Sequence, residues 1–124
     1  MKIYVAHPTS IDYENKIYKP LRNDDFFLWH ELVLPHENGD SIGNSREDYE
    51  NYDIVIAECS EPSTGMGIGL GWLYDDKKPI YCFVKSGLHP SSAVASIVEE
   101  VIEYNNKQDF VEKIKNIIKK KLSR

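Results

Sequence analysis

Short apolar runs separated by polar, turn-forming stretches set the rhythm of this chain. KIYVA (2–6), ELVLP (31–35), DIVIAE (53–58), PIYCFV (79–84) and VIEY (101–104) predict five strands. In the third run Ile54, Val55 and Ile56 follow one another without alternation, so both faces of that strand must be covered, as in a parallel sheet. Between the runs the apolar spacing becomes helical. Ile11, Ile17, Tyr18 and Leu21 predict a helix over 11–22, broken at Asn23-Asp24-Asp25. Short helices are expected over 46–51, with Ser45 as N-cap, and over 93–99, capped by Ser91 or Ser92. A helix over about 66–75 follows a glycine-rich stretch. Phe110, Val111, Ile114, Ile117, Ile118 and Leu122 predict a final amphipathic helix from Lys107 to about Leu122.

Strands alternating with helices indicate an α/β chain. Five strands in 124 residues fit one flavodoxin-like or Rossmann-like domain over residues 1–124, a three-layer sandwich with a five-stranded parallel sheet in the order 2-1-3-4-5. Ligands of such sheets lie beyond the carboxyl ends of the strands, at the switch point between strands 1 and 3. The loops AHPTS and ECSEPSTGMG border that crevice.

Composition narrows the picture. A net charge of −5 argues against unspecific nucleic-acid binding, which depends on neutralising phosphates. The basic end KIKNIIKKKLSR reads as a solvated helix terminus whose cations suit the helix dipole. No apolar run approaches the ~20 residues that span a bilayer, and MKIYVA lacks the charged start of a signal peptide, so a cytoplasmic protein without membrane contact is expected. Cys59 and Cys82 read as buried thiols. His30, His36 and His89 show no metal-ligand spacing, and neither metal nor cofactor is expected. Trp29 and Trp72 read as core or as dimer interface.

The stretch 57–71, AECSEPSTGMGIGLG, places Gly65, Gly67, Gly69 and Gly71 at every second position after a strand. Free amides and the dipole at the start of a helix favour negative charge, and glycine admits close approach to the main chain. Ser63, Thr64 and the amides near Gly65 and Gly67 could hold a phosphate or a sugar hydroxyl. The competing reading is that the glycines serve tight helix–sheet packing. The pattern is neither a P-loop nor a dinucleotide fingerprint.

The run YDIVIAECSEPSTGMGIGLGWLYDDKKPIYCF resembles the core of the nucleoside 2-deoxyribosyltransferase superfamily, which includes the 2′-deoxynucleoside 5′-monophosphate N-glycosidases. Asp53 to Glu58, Pro62-Ser63, Gly65, Gly67, Leu70-Gly71 and Lys78-Pro79-Ile80 match its motifs, and KIYVA is similar to its first strand. The resemblance implies a homodimer or higher homo-oligomer that binds a deoxynucleoside or a deoxynucleoside 5′-monophosphate. It also implies hydrolysis of the N-glycosidic bond or deoxyribosyl transfer through a glycosyl-enzyme ester on a Glu just before Leu-Gly.

Here that position is Gly69, and the position of the family's second carboxylate is Ser45. Asp48 or Glu47 could supply a carboxylate if the short helix shifts by a turn. Tyr4 and Asp48 are therefore the catalytic candidates. His7, Ser63, Gly65, Gly67, Gly69 and Ser92 are the substrate-binding candidates, Ser63 and Ser92 by likeness to the family's phosphate-binding serines. Each side chain also has a structural reading: Tyr4 as a core tyrosine, His7 as a loop-orienting residue, Ser92 as a helix cap. Glu58, at a strand end, and Glu61, in a loop, are further carboxylates of the crevice region. Three functions stay open: an enzyme acting at the N-glycosidic bond, a nucleotide-binding protein without the chemistry, and an interaction module with no small ligand.

Overall fold

The computed structural model describes residues 1–38 and 46–123. Strands β1 (Lys2–Ala6), β2 (Glu31–Val33), β3 (Ile54–Glu58), β4 (Ile80–Lys85) and β5 (Glu100–Tyr104) form one parallel sheet in the order β2-β1-β3-β4-β5. Helices α1 (Lys19–Arg22), α2 (Thr64–Asp75), α3 (Ser92–Ala95) and α4 (Lys107–Leu122) lie in the connections. Tyr4 pairs with Val55 and Ala6 with Ala57 across the central β1–β3 ladder.

The two-residue period of the strands sorts their side chains into two cores. Ile3, Val5, Ile54, Ile56 and Phe83 pack with Leu21 before the sheet's one face and with Phe110, Ile114 and Ile118 of α4. Tyr4, Ala6, Val55, Ala57, Cys82 and Val84 pack against Leu70 and Leu73 of α2 on the other. This is the expected three-layer arrangement. Each fully buried aliphatic or phenyl group of α4 contributes about 1.5–3 kcal/mol. Asn106 starts that helix by accepting a bond from the Asp109 amide, and Lys119, Lys120 and Lys121 end it where cations suit the dipole.

Several boundaries differ from expectation for local reasons. The helix expected over 11–22 is a π-helical turn, Glu14–Tyr18, running into α1. Pro20 has no amide to donate to Lys16 and its ring crowds that carbonyl, so the turn before it opens. Asp24 does not simply break the chain. Its carboxylate accepts from the Phe26 amide and starts a 3₁₀ helix, Asp25–Trp29. β2 stops at Val33, short of Pro35. The segment Arg46–Asn51 is a 3₁₀ helix, and its expected cap Ser45 lies outside the described residues.

α2 begins at Thr64 because the Ser63 hydroxyl accepts from the Met66 amide. α3 is a single turn, capped by Ser91. Both cysteines are buried free thiols, as expected. Neither tryptophan is in the core: Trp29 is 86% and Trp72 39% exposed. Among the described residues no helix is long and apolar enough to cross a membrane.

Candidate functional site

A cavity of about 330 Å³ opens beyond the carboxyl ends of β1 and β3, against the first turns of α2. Tyr4, His7, Ser63, Gly65 and Gly69 all line it, with Tyr49, Thr9, His36 and Met66. The position is the one the strand order demands, because the connections from β1 and β3 diverge there. Gly67 borders a neighbouring hollow of about 860 Å³ that shares Ser63 and Met66 and reaches across to His89, Ser91 and Val94. Ser92 and Asp48 are not among the residues lining either hollow.

At the head of α2 the Ser63 oxygen accepts from Met66 at 3.3 Å, so the hydroxyl proton of Ser63 stays available to donate. The amides of Thr64 and Gly65 lie in the first turn, where no earlier helical carbonyl reaches them, and they take no hydrogen bond among the described residues. Gly65 faces open space. Ser63 and Gly65 bring a hydroxyl and an amide donor to this cavity, while Thr64 lines the neighbouring hollow.

Tyr4 and Tyr49 bring phenols to the cavity lining, and Tyr52 packs on Tyr4. The rings of Tyr4 and Tyr52 stack with centroids 4.8 Å apart and planes within 4°. Tyr49 sits 5.9 Å from each of them. All three are buried. Burial first, and then the charge of Asp48 among the smaller influences, raises the hydroxyls of Tyr4, Tyr49 and Tyr52 above the ordinary phenol range. They remain protonated and neutral at physiological pH.

Asp48 belongs to the same 3₁₀ segment as Tyr49, and its charge is one of the influences that raise these hydroxyls. A Cβ built on Gly69 would stand 3.1 Å from the Tyr49 hydroxyl oxygen. Sequence reasoning missed Tyr49. Its only signal was its place beside Asp48 in REDYENYD.

His7 is committed to the protein. Its Nδ1 lies 3.0 Å from the Pro8 carbonyl, an acceptor only, so Nδ1 carries the proton and donates. Nε2 then accepts from the Tyr18 hydroxyl, 2.6 Å away. The same hydroxyl oxygen accepts from the His36 amide at 3.0 Å. Tyr13 stacks on the imidazole at 4.5 Å. Burial lowers the His7 pKa, keeping the ring neutral. Both nitrogens are thus occupied, and His7 shapes the cavity edge by tying the loop after β1 to the one after β2.

Glu58 is fully buried on the other face of the sheet. It accepts from the Ser60 amide at 2.6 Å, from the Ser60 hydroxyl at 2.9 Å and from the Tyr104 hydroxyl. It ends β3, holds the turn that follows through Ser60, and does not line the cavity. Glu61 is exposed and accepts from Ser10 at 3.3 Å, linking the two loops that flank the crevice. Among the described residues no group of three or more His, Cys, Asp or Glu side chains could hold a metal ion.

No family model and no curated protein matches this sequence. Solved structures do match its fold. A CMP N-glycosidase of Clostridium botulinum superposes with a TM-score of 0.65 at 16% identity, over 94% of this chain and 99% of that one. A conserved protein of Enterococcus faecalis gives 0.68 at 16% identity, over 94% and 98%. A 2-deoxyribosyltransferase of Bacillus psychrosaccharolyticus gives 0.65 at 20% identity, over 89% and 90%. The chain has the fold of the deoxyribosyltransferase and N-glycosidase structures along nearly its whole length.

Proposed function

We propose that this chain is a nucleoside- or nucleotide-binding protein of the nucleoside 2-deoxyribosyltransferase-like superfamily, taking a deoxynucleoside or its 5′-monophosphate. The observation that carries the reading is the cavity at the β1–β3 switch point, where the motif residues Ser63, Gly65 and Gly69 meet Tyr4. The fold likeness to a CMP N-glycosidase and a 2-deoxyribosyltransferase supports the ligand class. Ser63 and the amides of Thr64 and Gly65 would take the anionic or hydroxylated end of the ligand.

The superfamily's activity is hydrolysis or transfer at the N-glycosidic bond. The covalent route needs a carboxylate where this chain has Gly69, and Glu58 cannot supply one from the far face of the sheet. That favours binding without double displacement. Any turnover would be single displacement by water, with Asp48, one residue before Tyr49, as the candidate carboxylate. Homodimerisation, as the resemblance implies, is part of this reading.

Two measurements test it. Calorimetric titration with deoxynucleosides and their 5′-monophosphates should show saturable binding. Chromatography of the same mixtures at high protein concentration should show little or no free base. Heat exchange absent for every ligand removes the reading, while rapid base release removes its non-catalytic half.

A further inference from the structure

We infer that Tyr49 and Gly69 are a matched pair, in which the Tyr49 hydroxyl takes the place a side chain at 69 would fill and contacts the sugar of the bound ligand. The pairing stands on geometry alone; the identity of the ligand rests on the nucleoside reading above. Of the glycines in α2, Gly65, Gly67 and Gly71 have nothing within 4 Å of a built Cβ. Gly69 alone among them is opposed, by Tyr49 Oη at 3.1 Å. Both residues line the same cavity.

Neighbouring rings hold the phenol in place. Tyr49 is 1% exposed, and its ring lies 5.9 Å from Tyr4, 5.9 Å from Tyr52 and 6.5 Å from Trp72. Moving it would open a packed core. The absence of a side chain at 69 and the presence of a phenol at 49 therefore answer each other.

The chemical consequence concerns what the cavity selects. A carboxylate at 69 would offer charge and a lone pair to an electron-poor carbon. A neutral phenol presents a hydrogen-bonding oxygen to the cavity, and no group that bonds to carbon at neutral pH. Such a wall recognises the hydroxyls of a sugar.

A double-mutant cycle and a titration test the two halves. In thermal denaturation, Gly71→Ala should raise the midpoint, and Gly69→Ala should fall short of it. In a Tyr49→Phe background Gly69→Ala should match Gly71→Ala, because the crowding oxygen is gone. Calorimetry with thymidine, deoxycytidine and their 5′-monophosphates should show Tyr49→Phe weakening the bound ligand by about tenfold, the loss of one hydrogen bond.

Equal shifts for Gly69→Ala in both backgrounds overturn the pairing. Unchanged affinity in Tyr49→Phe overturns the ligand contact while leaving the nucleoside reading intact. No binding by the unaltered protein, with the cycle still coupled, overturns the nucleoside reading and the ligand contact together.

Discussion

His7 shows how one residue's partners decide its role. An imidazole with Nδ1 bonded to a carbonyl and Nε2 accepting from Tyr18 has no site left for a substrate proton. Adding a proton to Nε2 would turn the Tyr18 hydroxyl away from it. That hydroxyl already accepts from His36 and would then need a new acceptor in a buried place. Stability should therefore depend on pH with a definite sign. The folded His7 pKa lies below its ordinary value of 6.5 because burial opposes the charge, and the neighbouring His36 adds to this. The unfolded chain then binds the extra proton first, so stability is full above about pH 6.5 and falls as pH drops below it. His30 is lowered as well and acts in the same direction. Asp12, Asp24, Glu37 and Asp109, whose pKa values are lowered, lose their contributions only at more acid pH. Urea denaturation at pH 5.5 and 7.5 should show a smaller pH difference in His7→Gln than in the unaltered chain. An equal difference in both would remove His7 as its source. Tyr18→Phe should cost about 1–3 kcal/mol at neutral pH, since it strands the His36 amide and His7 Nε2 together.

At the scale of elements, caps decide which serines are structural. Ser91 accepts from the Val94 amide and starts α3, while Ser92 is the first helical residue and makes no capping bond. Ser91→Ala should lower stability by about 0.5–2 kcal/mol and Ser92→Ala by a few tenths at most, read from denaturant midpoints. If Ser92→Ala instead weakens nucleotide binding at unchanged stability, its proposed place at a phosphate gains support. α2 offers a second comparison. A glycine inside a helix costs up to about 1 kcal/mol relative to alanine, and Gly71 faces open space, so Gly71→Ala should stabilise by up to that amount. These elements were legible in unequal measure. β1, β3 and β4 were clear because unbroken apolar runs reflect burial on both faces, whereas β5 at the sheet edge keeps Glu100, Val101 and Glu103 exposed. The stretch 11–22 was legible as helical, but not as a π turn, because that shape follows from Pro20 acting on the residues before it. The 3₁₀ turn at Asp25–Trp29 was hidden because its apolar side chains do not repeat with a helical period, and Leu28 and Trp29 stay exposed.

For the whole molecule, topology was the legible part and chemistry the hidden one. Strand order follows from alternating elements, and the cavity sits where that order predicts it. Ser63, Gly65 and Gly69 were found because they share one local segment. Tyr49 was not, because nothing in a linear pattern records that a 3₁₀ turn before β3 aims a phenol at a helix after it. That contact also governs how a carboxylate could be placed at position 69. Gly69→Glu alone places its Cβ against the Tyr49 hydroxyl, so the new carboxylate is pushed off its line into the cavity. Removing the hydroxyl with Tyr49→Phe frees about the volume the new Cβ needs. The double variant Gly69→Glu, Tyr49→Phe should therefore release base from a deoxynucleoside or its 5′-monophosphate faster than Gly69→Glu does, with Tyr49→Phe alone inactive. Intact-protein mass spectrometry on quenched mixtures should find a deoxyribosyl adduct in the double variant and none in the unaltered chain. Equal rates in the single and double Glu variants would show that Tyr49 does not stand in the way, and an adduct on the unaltered chain would mean that another residue serves as nucleophile.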